Sequence, residues 1–197
     1  MILFRDGGSV LGVSQTAHSA VTGRLAEAWA PRDDLPWDEL CTAATVHDVG
    51  WAAWEMNPEI NPDTDLPYAF YEVPDLSYAE IWTRGTDHAA TFGRLVGLLV
   101  SRHFTRLAGR REGLRALADR EEGRQAALTA MLGLDADVLA ACSDLLARWD
   151  GISLDLCGRR EPDLDPWPFA RDSLTLCFDA RELPRGAVES IEVSLAR

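Results

Sequence analysis

The chain of 197 residues contains no run of 18 apolar residues, so no transmembrane helix is expected. Its start, MILFRDGGSV, lacks the basic segment and long apolar stretch of a secretory signal. A cytoplasmic location is the resulting expectation. Positive charge is scarce: 19 Lys and Arg stand against 32 Asp and Glu, for a net charge of −13. Such a surface repels nucleic-acid backbones and anionic membranes, so neither is expected as a partner. The four cysteines (Cys41, Cys142, Cys157, Cys177) form no C-x-x-C pair. They read as small buried residues, and a thiolate zinc site is not expected. A GxxxxGK[ST] phosphate loop, a GxGxxG fingerprint and a GxSxG nucleophile elbow are all missing, which leaves those catalytic classes unsupported. Internal repeats and low-complexity segments are missing too.

What is present is ordinary for a globular protein: 47% hydrophobic and 26% charged residues, enough for one domain with a sizeable core. MILF and SVLGV flank Asp6-Gly7-Gly8 and predict a hairpin over the first 13 residues. A helix follows over about 15–30, with Ser14 as its cap and Val21, Leu25 and Trp29 as an apolar stripe. A second helix is predicted over 37–49, with Pro36 near its start and Gly50 ending it. Residues 57–76, rich in Pro, Asn and Asp, form a long loop of the kind that borders binding sites. Ser77-x-x-Glu80 matches a capping box, opening a helix that breaks near Gly85 and restarts after Thr86 to reach about Leu107. An amphipathic helix over 111–132 follows, then one from about Asp135 to Asp150-Gly151. SLTLCFDA and SIEVSLAR alternate with period two and read as strands that can pair with the amino-terminal hairpin.

Four histidines carry the chemical signal. His18 lies three and seven residues before Val21 and Leu25; His47 lies three and seven after Ala44 and Leu40. His103 follows Leu99 and Val96 by four and seven, and His88 precedes Phe92 and Leu95 by the same steps. Each therefore projects from an apolar helix face toward the core. A lone inward histidine is ordinarily a hydrogen-bonded core residue. Four together are explained more economically by a shared polar centre. Asp48 adjoins His47, and Asp150 follows Leu146 and Leu139 by four and eleven, so it also points inward. Adjacent helix positions diverge by about 100°, but an ion in the groove between them can be gripped by both. Taken alone, Asp150 also reads as a helix-end residue before Gly151. Two imidazoles and two carboxylates suit a divalent transition metal (Mn, Fe, Co, Ni or Zn) better than Mg or Ca.

The order His18, His47-Asp48, Asp150 resembles the HD superfamily of metal-dependent phosphohydrolases. The segment His47-Asp48-Val49-Gly50-Trp51-Ala52-Ala53-Trp54-Glu55, preceded by Gln15-Thr16-Ala17-His18, is similar to one branch, the domain of unknown function 3891 family. Ser101-Arg102-His103-Phe104, Trp149-Asp150-Gly151-Ile152-Ser153-Leu154 and Pro166-Trp167-Pro168-Phe169 resemble further pieces of it, so the likeness spans nearly the whole chain. The resemblance implies a mainly α fold. Together with the terminal strands that the period-two pattern predicts, this gives an HD-like helical bundle with a small antiparallel sheet from the two ends, forming a single domain over 1–197. Its helical core would run over about 15–156 and its terminal strands over about 1–13 and 172–197. It also implies a metal held by His18, His47, Asp48 and Asp150, but no substrate.

Some HD proteins hold a second metal through two further histidines. Here these would be His88 and His103, 15 positions apart, or about 22 Å on one straight helix. Either that helix breaks near Gly93 or Gly97, or only one of them reaches the site; His103, within the matching segment, is favoured, giving one ion rather than two.

The expected activity is hydrolysis of a small phosphoester, a nucleotide or phosphorylated metabolite, with Asp48 and His103 as the catalytic residues: Asp48 orienting water, His103 donating a proton or contacting phosphate. Arg84, Arg102 and Arg106 are anion-contact candidates, and Trp51 and Trp54 pocket walls. Core packing or solvated-surface roles are the plainer readings of these five. The expected partner is a small anionic molecule, with a homodimer left open as an assembly. A di-iron oxygenase of the same fold and a metal-stabilised binding module without turnover are the alternatives.

Overall fold

In the computed structural model, which describes residues 1–109, 111–184 and 186–197, the two ends of the chain build one sheet against a helical body. Strands β1 (Ile2–Asp6) and β2 (Ser9–Val13) pair antiparallel around Gly7-Gly8, with Ile2 opposite Val13 and Asp6 opposite Ser9. The carboxy-terminal strands β5 (Ser173–Leu183) and β6 (Val188–Ala196) join them in the order β1-β2-β5-β6, all antiparallel. Leu176, Phe178 and Ala180 alternate inward from β5, as a half-buried strand requires. The fold is thus mainly helical with a small terminal sheet, as the patterning predicts.

Helix α1 (Gln15–Ala28) starts where Ser14 accepts from the amide of Ala17, and packs against α2, α7 and β5. Helix α2 (Trp37–Val46) ends before the expected position. From Val46 the backbone tightens into i→i+3 hydrogen bonds (Val49 N to Val46 O, Trp51 N to Asp48 O, Ala52 N to Val49 O) and leads into α3 (Trp51–Met56). Gly50 does not end a helix. It lets this turn touch the next element: a Cβ there would lie 2.2 Å from the carbonyl oxygen of Ile81 and 2.8 Å from Cα of Gly85. The loop beyond contains a minimal hairpin, β3 (Ile60–Asn61) and β4 (Leu66–Pro67).

Helix α4 (Asp75–Ala89) starts two residues before the expected capping box, after Pro74, and Ser77 donates to Glu59 rather than capping. It runs unbroken through Gly85 and stops instead before Gly93, whose φ of 154° is rarely open to L side chains. Helix α5 (Arg94–Ala108) follows and packs back against α4. A 3₁₀ turn (Glu112–Leu114) leads into α6 (Arg115–Leu132), which is only weakly amphipathic and buries just Leu117 and Glu121. Helix α7 (Ala136–Cys157), capped by Asp135, continues through Asp150-Gly151 rather than ending there. Asp150 is therefore a helix-interior residue, not a helix-end one. The core runs between α1, α2, α5 and α7, with Leu25, Leu40, Leu98, Leu99, Leu146 and Trp149 fully buried. Among the described residues, no helix is long and apolar enough to cross a membrane.

Candidate metal centre

Four separate elements bring their polar side chains to one point. His18 comes from α1, His47 and Asp48 from the tight turn after α2, His103 from α5 and Asp150 from α7. The Nε2 of His18 lies 2.9 Å from Asp150 Oδ1 and 3.7 Å from Asp48 Oδ2. The Nε2 of His47 lies 3.3 Å and 3.5 Å from the same two oxygens. His103 Nε2 is 3.7 Å from Asp150 Oδ2. Two sets of donor atoms, His18-His47-Asp48 and His47-His103-Asp150, each gather within 4.8 Å, close enough to hold a metal ion. The tight turn explains how neighbours His47 and Asp48 reach a common point.

The far ring nitrogens are fixed by partners that decide the tautomer. His47 Nδ1 lies 2.8 Å from the carbonyl oxygen of Ala44, which can only accept, so Nδ1 carries the proton. Ser153 donates its hydroxyl proton to the His18 carbonyl at 2.9 Å, so it receives the bond from His18 Nδ1 at 2.8 Å. Both rings therefore aim Nε2 at the carboxylates, an orientation that hydrogen bonds to Nδ1 typically impose on metal-binding histidines. A lone pair facing a carboxylate oxygen requires a positive centre between them, either protons or a cation. His47 Nε2 is buried and has no hydrogen-bond partner. The donor set and this orphaned nitrogen both fit a divalent ion.

Electrostatics divide the histidines. Burial opposes charge on His47, but Asp48 and Asp150 outweigh it and raise its pKa to about 9. For His103 burial dominates, and the ring is pushed down to about 4, leaving it neutral. Burial alone would raise Asp150; the hydrogen bond from His18 and the close imidazoles of His47 and His103 instead hold it well below the usual carboxylate range.

Asp48, His103 and Asp150 open onto a cavity of about 330 Å³. Leu107 and Leu154, one turn beyond His103 and Asp150 on their own helices, continue its lining. Trp51, Tyr78 and Trp82 form an aromatic wall. Phe70 and Tyr71 complete it from the 57–76 loop, which therefore borders the site as expected. Arg111 also lines the cavity, with its guanidinium 4.4 Å over the Tyr78 ring, 2.7 Å from Asp75 and 2.8 Å from the carbonyl of Val73.

The other sequence-derived candidates lie elsewhere. His88 is exposed on the last turn of α4, so only three of the four histidines face inward. Trp54 donates to Glu59 in a separate cleft that it shares with Arg84, which is exposed and pairs with Glu80. Arg102 donates to Ser143 and Arg106 to Asp144, in a groove between α5, α6 and α7. Missed in the sequence were Gln15, Tyr78, Trp82, Arg111, Ser19 and Ser153. Gln15 and Ser153 were within reach: each lies three residues from a ligand, on the same helix face. Arg111, beyond the end of α5, had no such signal.

A family model described as "Protein of unknown function (DUF3891)" matches residues 1–163. No curated protein and no solved structure matches the chain.

Proposed function

Because the chain belongs to the DUF3891 family, whose description carries no activity, its function has to be read from its site, and we propose that it is a metal-dependent hydrolase of the HD type acting on a small phosphoester such as a nucleotide or phosphorylated metabolite. The observation that carries this reading is the convergence of three imidazole Nε2 atoms and two carboxylates at the wall of a half-open cavity. His18, His47, Asp48 and Asp150 would hold one divalent ion, and their mixed nitrogen and oxygen donors favour Mn, Fe, Co, Ni or Zn. Such an ion supplies Lewis-acid polarisation of a phosphoryl oxygen and a lowered pKa for water.

The chain's own residues do the remainder. Asp48 Oδ2, beside both His18 and His47, orients water by accepting its hydrogen bond. His103, held neutral, acts on a phosphoryl oxygen through an imidazole N–H or takes up a proton, rather than storing an imidazolium. The aromatic walls give the reacting end an apolar surround on the side of Trp51, Tyr78 and Trp82. A di-iron oxygenase would need ligands for a second ion, and exposed His88 is not placed to supply one.

Purified protein should carry up to one equivalent of transition metal and hydrolyse a member of a phosphomonoester and phosphodiester panel. His47→Ala and Asp48→Ala should lose the metal; unchanged metal content in both variants would refute the assignment. A second reading has an observation of its own. His47, His103 and Asp150 also form a ligand set, and a fifth protein donor on the ion would close the position a substrate needs. The chain would then be a metal-stabilised binding module without turnover. His103→Ala separates the two: lost turnover with metal retained supports the hydrolase, lost metal the module.

A further inference from the structure

We propose that the cavity takes a compact aromatic molecule bearing a single oxyanion head, with its ring against Trp51, Phe70, Tyr71, Tyr78 and Trp82 and its head in reach of the Gln15 carboxamide. This rests on the hydrolase reading for the role of the head, and goes beyond it in naming the substrate class.

The body of the ligand is argued from the walls. Five aromatic side chains line about 330 Å³, the small end of the roughly 300–1,000 Å³ typical of small-molecule sites. Trp51, Tyr78 and Trp82 are fixed before any ligand enters. Trp82 is stacked on Phe104 at 5.0 Å and nearly parallel, and Tyr78 stands edge-on to both Trp82 (4.8 Å) and Trp51 (5.2 Å). The Tyr78 hydroxyl is spent on the Phe70 carbonyl, so that wall offers apolar surface rather than a donor. Preformed edge-to-face walls favour a flat ring over a flexible polar chain.

The head is argued from charge and from unsatisfied polarity. Among the described residues lining the cavity Arg111 is the one arginine, and it is already engaged by Asp75, the Val73 carbonyl and the Tyr78 face. A second anionic group would therefore find no free counter-charge on this lining, whereas one head is met at the His/Asp end. Gln15 is 3% exposed, lines the cavity and has its Oε1 buried without any hydrogen-bond partner. It sits one helical turn before His18, beside the cluster. An amide oxygen with no partner in a buried site costs stability unless a ligand or water completes it. Rotated end for end, the same carboxamide presents an N–H to an oxyanion.

The test is titration calorimetry with two non-hydrolysable probes, phenylphosphonate and methylphosphonate, with metal content measured on the same sample. Phenylphosphonate should bind about tenfold or more tightly than methylphosphonate, from the extra apolar area buried. Tyr71→Ala, which alters a largely exposed ring and so spares the fold, should shrink that ratio several-fold and leave methylphosphonate unchanged. Gln15→Leu should weaken both probes by about tenfold, the scale of a hydrogen bond to a charged group, and keep the ratio. A wild-type ratio near one, or a ratio that neither Tyr71→Ala nor Phe70→Ala changes, overturns the inference whatever the metal content. A sample without metal that still prefers phenylphosphonate supports the ring site and removes only the hydrolase reading.

Discussion

Adding one methyl group at Gly50 should damage this protein more than its size suggests. A Cβ at that position would lie 2.2 Å from the Ile81 carbonyl oxygen and 2.8 Å from both N and Cα of Gly85. All three atoms belong to the α4 backbone, so no side-chain rotation relieves the clash. The turn carrying His47 and Asp48 must move away from α4 by about 1 Å to restore ordinary contact. Overpacking that side chains can absorb costs about 1–3 kcal/mol. Here, where backbone must yield, Gly50→Ala should cost about 3 kcal/mol or more. For a chain of this length that lowers Tm by about 6–12 °C, measured by circular dichroism or calorimetry. Gly151→Ala is the control: it lies next to Asp150 but nothing comes within 4 Å of its Cβ position. In mid-helix it should gain up to about 1 kcal/mol and raise Tm by a few degrees. Gly85→Ala, with its nearest contact at 3.2 Å on the Phe104 ring, should fall between the two. A Gly50→Ala protein melting within about 2 °C of the parent would refute the steric argument.

Two further outcomes follow from burial. His47, with its folded pKa raised to about 9 by Asp48 and Asp150 against the cost of burial, stabilises the metal-free protein fully below the unfolded value of about 6.5, and that contribution is lost as pH rises through about 9. An entering cation must displace the same proton, so metal affinity should climb about tenfold per pH unit between 7 and 9; a pH-independent affinity in calorimetric titrations would contradict the assignment. Thiol labelling of the native protein should modify exposed Cys177 quickly and buried Cys142 and Cys157 only on unfolding, since burial also pushes the Cys157 thiol up to about 12; equal rates at all four cysteines would argue against the packing.

The hairpin, the β5 and β6 alternation and the inward faces of His18, His47, His103 and Asp150 were legible because each is a local period, and the core lies where those periods point. Where the reading failed, a contact distant in sequence outweighed a local signal. Ser77 could cap a helix, but its hydroxyl finds Glu59, and the helix starts at Asp75. Gly85 and Gly151 could break helices. One is needed small where Gly50 packs against it and the other faces open space, so both are carried inside continuous helices for a cost of about 1 kcal/mol each. His88 looked inward because its spacing was counted to Phe92 and Leu95, and both lie past the end of α4 at Ala89, Leu95 also beyond the break at Gly93 where the helical phase restarts. Tyr78, Trp82 and Arg111 reach the cavity through tertiary packing that no spacing encodes.

The residues that meet at the His/Asp cluster sit at 18, 47, 48, 103 and 150 along the chain. An ion held there closes several long loops at once, and the entropy of such closure grows only slowly with loop length. Loop breathing alone cannot let go of all its donors, because α1, α5 and α7 are themselves the body of the core. Chelators would then strip the protein at the pace of core opening, and the ion would act as a kinetic lock on the helices around it.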